Sequence, residues 1–474
     1  MGAIARTHTA IIAKDQDCRI SFQWGEDDDP CIDLAASRLG DLPPPPKPDP
    51  SKRPDFSDID DWPSSAGAKA ARLLAIEDPD FSVPPALDRS SNAKVTWLGH
   101  ASVLVQLRSI GSPSSGPVRC LFDPMFSIRC SPSQLAGPIR SYPPPCKVED
   151  LPPIDAVFVS HNHYDHMDYD SIVSVWRHSQ DTVRFFVPLG NKQWLLDWEI
   201  PADRITEMDW WDSAGLTHPT NTPASSTSIK VWCTPAQHNS WRSGADADST
   251  LWSSWCLEHL APDQPPYRVF FAGDTGYQFH ADPSWPPKPS SRQSQKDEAH
   301  HARQEEERFP ACPAFAQVRD RIGPQHLLLL PVSVGATFAY LRSFVPLPDW
   351  INPFPRHSPG VTGANHMPPW DAVRVLKVMT EGGPNDNGKK EGGGKKERAT
   401  PAVAVAMHWG TFVTDPVEVL RALGQLDWAC REHGVRFARS LDTSGLVGKG
   451  DSRRGERVTE PWFVALNHGQ SVSV

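Results

Sequence analysis

His161, His163, Asp165 and His166 fall within six residues, in the stretch Ser-His-Asn-His-Tyr-Asp-His-Met-Asp (160–168). Imidazole and carboxylate groups are ligands for zinc and similar transition metals. Four such side chains on one short loop do not readily close on a single ion at tetrahedral angles. Divided two and two, and completed by ligands from elsewhere, they suit two ions a few ångströms apart. Three further residues fit that need, each at the end of an apolar run. His238 follows 231–237, Asp274 follows 269–273, and His408 follows 403–407. A carboxylate such as Asp274 has one oxygen to offer to each of two cations. Taken singly these residues say little, because a histidine after a strand is commonly a satisfied polar residue and Gly-Asp-Thr-Gly (273–276) reads as a turn. With the 161–166 cluster they make a set, which a merely histidine-rich surface loop would leave unexplained.

The elements that must position these groups are strands. Ile154–Val159 is an apolar run that leads straight into the metal-type loop and reads as a buried strand. Further strands are read at 94–100, 101–107, 119–124, 185–188, 229–234, 268–272, 327–331 and 402–407. Helical spacing is read over 171–176, with Asp168 or Asp170 as its cap, and over 191–198, capped by Asn191. Ends of rigid elements are where chemical groups are held best. Interleaved strands and helices without a long repeat predict one mixed α/β domain from about 91 to 474. Residues 1–90, with a proline-rich run at 43–50 and acidic residues crowding 55–61, predict a largely disordered or loosely packed arm. Within that arm, Trp62 and the stretch 68–76 suggest a short helix packed on the body. The segments at about 286–308 and 382–397 are polar and read as inserted loops.

Composition limits the rest. The chain has 474 residues, 39% of them hydrophobic, and its 49 prolines are about twice the usual share, so part of it is not core. A net charge of −10 gives no overall basic signature for nucleic acid. Nine cysteines, none in a C-x-x-C pair, read as free thiols of a reducing compartment. No apolar run of roughly 18 residues predicts a spanning helix, and the first residues lack a secretory apolar region.

With these residues in hand, the chain resembles the metallo-β-lactamase superfamily, on the H-x-H-x-D-H loop followed in order by His238, Asp274 and His408. Within it, the stretches Phe122–Ser127, Ser131–Gln134, Leu151–Val157, Val187–Gly190, Thr234–His238, Phe271–Tyr277 and His408–Phe412 resemble the N-acylphosphatidylethanolamine-hydrolysing phospholipase D family. The resemblance implies a four-layer αββα sandwich and two zinc ions (Zn2+) per chain. His161, His163 and His238 would hold one ion; Asp165, His166 and His408 would hold the other; Asp274 would bridge. It also implies a polar-histidine pair before a helix near the site. Asn365-His366 matches best, although the residues after His366 depart from the family's pattern. These two are the expected substrate-contacting residues, and Asp165, Asp274 and His366 the expected catalytic ones. His100 is read as a support for its strand turn.

The reaction implied is hydrolysis of N-acylphosphatidylethanolamine to N-acylethanolamine and phosphatidic acid, with a metal-activated hydroxide as nucleophile. The partner is then a phospholipid at a membrane surface, met peripherally, in the cytosol or on an organelle membrane such as the mitochondrial one. Trp210-Trp211 and the apolar stretch Phe344–Phe354 are the candidate lipid contacts. Oligomeric state is left open, a homodimer being compatible. The rival readings are another hydrolase of the same fold (a lactonase, thioesterase or non-lipid phosphodiesterase) and a non-catalytic lipid-binding relative, which would have no need of all seven ligands.

Overall fold

Strands buried on both faces need cover on both sides, and the burial patterns of this chain show that cover. The computed structural model describes residues 74–83, 91–108, 116–135, 137–217, 228–243, 246–260, 265–278, 310–332, 351, 365–381, 401–412, 416–441 and 460–474. In chain order the elements are β1 (Ala93–Gly99), β2 (Ser102–Leu107), β3 (Val118–Phe122), β4 (Ala156–Phe158), α1 (Tyr169–Ser179), β5 (Arg184–Pro188), α2 (Lys192–Asp197), β6 (Ile205–Met208), β7 (Ser213–Thr217), β8 (Ser228–Thr234), β9 (Ser254–Leu260) and β10 (Tyr267–Phe271). They continue with α3 (Ala314–Ile322), β11 (Leu327–Pro331), α4 (Pro369–Thr380), β12 (Val403–Met407), α5 (Pro416–His433), β13 (Arg436–Ala438), β14 (Trp462–Val464) and β15 (Ser471–Ser473).

Two sheets result. The first runs β15-β1-β2-β3-β4-β5-β6 and the second β13-β14-β12-β11-β10-β9-β8-β7. The first is antiparallel from β15 to β3 and parallel from β3 to β6. The second is antiparallel from β7 to β10 and parallel beyond. Alternation along each strand divides the packing. Val103, Val105, Phe122 and Phe158 face a core shared with Val231, Val269 and Phe271 of the other sheet. Leu104, Leu121, Val157 and Phe185 face outward, onto Ile172 and Val175 of α1 and Leu195 of α2. Phe315 and Val318 of α3 and Val373 and Leu376 of α4 belong to the shared core cluster from the far side of the second sheet. This is a four-layer αββα sandwich, as the sequence predicts.

The pairing pattern gives the site its place. Within the first sheet β1, β3 and β4 point the same way; within the second, β8, β10 and β12 do. All six of these strands end near one edge of the sandwich. Asp168 caps α1 by accepting from the Ser171 amide, as one of its two predicted caps. Asn191 differs from expectation: its backbone is already helical and its side chain makes no cap hydrogen bond. Its Nδ2 instead donates to the carbonyls of Pro188 and Leu251, tying β5 to the segment before β9.

Part of the predicted arm is packed. Leu74 is fully buried in the core, and Ile76 forms a bridge with His468 in place of a helical turn. Trp62 and residues 68–72 lie outside the described residues, as do both inserted loops and the stretch 344–354 apart from Ile351. Trp210 and Trp211 are half-buried and packed against the core, the first donating its indole N–H to the Trp252 carbonyl. Of the nine cysteines, the seven described are free and, except for half-buried Cys146, buried.

Candidate metal centre

The loop after β4 turns sharply, with the amides of His166 and Met167 returning to the carbonyl of His163. That turn presents His161 and His163 to one side and Asp165 and His166 to the other. His238, after β8, completes the first group. His161 Nε2 lies 2.8 Å from His163 Nδ1, and His238 Nε2 lies 3.2 Å and 3.3 Å from those atoms. An ion with tetrahedral bonds of about 2.0–2.1 Å spaces its ligand atoms by about 3.3 Å, so this triangle has the edge lengths of one face of such a site.

The second group holds Asp165, His166 and His408. Their ligand atoms lie close together, with His166 Nε2 3.6 Å and His408 Nε2 3.8 Å from Asp165 Oδ2. Asp274 stands between the groups. Its Oδ1 is 3.0 Å from His408 Nε2, while its Oδ2 is 3.1 Å from His166 Nε2 and 3.8 Å from His238 Nε2. The seven candidate ligands therefore meet, in groups that share the Asp274 carboxylate.

Two further observations test whether these residues fit cations. First, the outer nitrogens of three ligand histidines are already engaged. His161 Nδ1–H donates to the Ser160 hydroxyl at 2.9 Å, His166 Nδ1–H to Asp123 Oδ2 at 2.6 Å, and His238 Nδ1–H to the Asn365 carbonyl at 3.0 Å. Such partners fix the tautomer and leave the Nε2 lone pair for an ion. Second, His166 Nε2, His408 Nε2 and Asp274 Oδ1 are buried and face one another at 3.0–3.1 Å around the Asp274 carboxylate without a well-directed hydrogen bond. The residues fit divalent cation binding.

The electrostatics divide in the same way. Burial holds the His161 and His238 imidazoles well below the ordinary histidine range and lowers His163 to about 4, so this group is a set of neutral lone pairs. In the second group burial opposes charge on His166 and His408, but Asp274 and Asp165 outweigh it. His166 is raised well above its usual range and His408 to about 9. Asp165 and Asp274, although buried, are held well below the usual carboxylate range, chiefly by His166. Protons on imidazoles balance these carboxylates, and cation binding would displace them.

His366, the predicted catalytic histidine, reaches the site. Its Nε2–H donates to Asp274 Oδ2 at 3.0 Å, and its side chain is 15% exposed. Asn365 is brought there too, with its main-chain carbonyl turned to His238. Two residues have larger parts than the sequence reading gave them. His100 supports its turn, its carbonyl accepting from the His408 amide, but it also reaches the second group by donating Nε2–H to Asp165 Oδ2 at 3.0 Å. Burial lowers its pKa to about 3, so it donates as a neutral ring. Asp123, fully buried, received no role, yet it orients His166 and accepts from the Ser160 amide and hydroxyl. It ends β3 as His238, Asp274 and His408 end their strands, and that shared position was the available signal.

Backbone strain concentrates here. Of six described non-glycine residues with positive φ, three are His100, Asp123 and His408. Before Asp274, Gly273 has φ +60°, and a Cβ there would lie 2.6 Å from Ser160 Cβ. Gly273→Ala is expected to lose about 2 kcal/mol of stability and to displace Ser160, the partner of His161. Denaturant titration checks this; an unchanged midpoint would show that the turn relaxes freely.

Residues 118–282 match a family model described as the beta-lactamase superfamily domain. An uncharacterized protein of Mycobacterium tuberculosis is 38% identical over 327 residues, covering 69% of this chain and 61% of that protein. The N-acyl-phosphatidylethanolamine-hydrolyzing phospholipase D 1 of Caenorhabditis elegans is 38% identical over 185 residues, 38% of this chain and 46% of its own length. The mitochondrial N-acyl-phosphatidylethanolamine-hydrolyzing phospholipase D of Saccharomyces cerevisiae is 28% identical over 232 residues, 48% of this chain and 44% of its own length. The aligned regions thus span about half the length of these relatives.

Proposed function

The chain belongs to the metallo-β-lactamase superfamily, and on that premise we propose that it is a zinc-dependent phosphodiester hydrolase of the phospholipase D type. Its proposed substrate is N-acylphosphatidylethanolamine, and its products are N-acylethanolamine and phosphatidic acid. The observation that carries the hydrolase reading is Asp274, with one oxygen toward His408 and the other toward His166, His238 and His366. The substrate class is supported by the names of the nematode and yeast relatives.

In this reading His161, His163 and His238 would hold one cation and Asp165, His166 and His408 the other, with Asp274 shared between them. Such a pair supplies a water of lowered pKa and neutralises charge on the phosphate oxygens. The chain's own groups do the rest. Asp165 and Asp274 are placed to orient the attacking water. The water oxygen adds to phosphorus, and the phosphorus–oxygen bond on the N-acylethanolamine side breaks. His366, anchored on Asp274 through Nε2, has an Nδ1 with no hydrogen-bonding partner. As the acceptor nitrogen of a ring that donates through Nε2, it is placed to take the water's proton and return it to the departing oxygen. The burial of Asp274, His166 and His408 keeps bulk water away, which strengthens each of these interactions.

A lipid substrate brings the enzyme to a bilayer. Among the described residues no helix is long and apolar enough to cross one, and contact in this reading is peripheral. Trp241, 52% exposed and three residues after His238, is a contact candidate beside the site. The test is hydrolysis by zinc-loaded protein of N-acylphosphatidylethanolamine vesicles, a soluble phosphodiester and a lactone, side by side. Release of N-acylethanolamine from vesicles is expected. Turnover of only the soluble phosphodiester or the lactone would instead select another hydrolase of this fold, and no turnover would favour a binding relative.

A further inference from the structure

We propose that Arg242 is a positioning residue that locks the 161–167 loop into metal-binding geometry. Its Nη1 donates to two carbonyls of that loop, Asn162 at 2.7 Å and Met167 at 2.8 Å. Asn162 lies between His161 and His163, and Met167 follows His166, so one guanidinium nitrogen ties together the two ends of the ligand cluster. The plane of the group is held by aromatic rings. Its carbon lies 4.0 Å from the ring centre of Tyr164, 5.2 Å from that of Trp194 and 5.8 Å from that of Trp198. Tyr164 belongs to the loop itself, and Trp194 to α2.

The backbone that carries Arg242 is fixed as well. The amides of Arg242 and Ser243 donate to Asp246 Oδ1 at 3.1 Å and 2.6 Å, and the Trp241 amide donates to Asn162 Oδ1 at 2.9 Å. The segment that supplies His238 is therefore pinned to the loop that supplies the other ligands. Burial lowers the pKa of Arg242, yet its direct acceptors are neutral carbonyls and ring faces, so the contact serves geometry. Lysine cannot reproduce this, since a compact ammonium has neither the planar fork nor the stacking face.

The test is competition for zinc between a chromophoric chelator and the full chain, with melting of the metal-free proteins followed in parallel. Arg242→Lys and Arg242→Ala are expected to weaken zinc binding by roughly 10- to 100-fold, the range seen for partners that orient metal ligands. Ethylguanidinium added to Arg242→Ala should restore part of the affinity. As a control, Arg321 lies 4.1 Å over the Trp211 ring and touches none of the ligands, so Arg321→Ala should leave zinc affinity unchanged. Equal zinc affinity in wild type and both Arg242 variants would overturn the inference. The inference rests on reading the cluster as a metal site. Failure of the wild type to bind zinc would overturn both, whereas normal wild-type binding with normal Arg242 variants would overturn this one alone.

Discussion

Asparagine in place of Asp274 is expected to lower turnover by about a thousandfold or more while the chain remains folded. The two side chains are nearly isosteric, and the constraints on the turn come from Gly273 and Ser160 rather than from the carboxylate itself. What changes is charge and donor chemistry. Asp274 presents both oxygens to imidazole nitrogens within 3.1 Å, His408 on one side and His166 and His366 on the other. An amide has one oxygen and no charge, so it cannot serve two cations. It also removes the main influence that raises the pKa of His408 and His166 against their burial. The effect should therefore appear twice, as lost turnover on phospholipid vesicles and as lowered metal content per chain. Circular dichroism should overlay that of the wild type. Unchanged turnover in a folded variant would remove Asp274 from the bridging role and leave the two groups as separate sites.

Inner strands of the second sheet were legible because they are short, wholly apolar runs. Val403–Met407 and Leu327–Pro331 are buried at every position, and such runs read as strands covered on both faces. The edge elements were harder. Ser213–Thr217 and Ser471–Ser473 are short and carry several small polar residues, and their place in the sheets comes from pairing with β8 and β1 rather than from their own pattern. The ligand set was readable because its residues share a spacing or a strand end. Asp123 and His100 were harder to assign because a single Asp before proline and a single His after glycine each have an ordinary turn reading. Their parts depend on contacts 43 and 65 residues away in sequence, to His166 and Asp165. Arg242 illustrates the same limit. Nothing in Trp-Arg-Ser marks a residue that binds carbonyls 80 and 75 residues earlier in the chain.

His238→Ala and His408→Ala should separate the two halves of the centre. His238 meets His161 and His163 at 3.2–3.3 Å, whereas His408 faces Asp274 Oδ1 and Asp165. Each single variant is therefore expected to keep about one of two zinc equivalents after dialysis, and the double variant to keep almost none. The two losses should not be equal in strength. The first group is three neutral imidazoles, while the second brings the carboxylate of Asp165 as well as a share of Asp274, and anionic ligands hold a divalent cation more tightly. The ion retained by His238→Ala should thus resist a chelator better than the ion retained by His408→Ala. Turnover should fall by at least about a hundredfold in both, because hydrolysis needs one ion to position the water and another to neutralise the phosphate. Metal analysis by atomic emission, with melting curves to show that each variant is folded, decides the matter. A wild-type chain that saturates at one zinc, or single variants that each lose all metal, would mean that the seven ligands close on a single cooperative site.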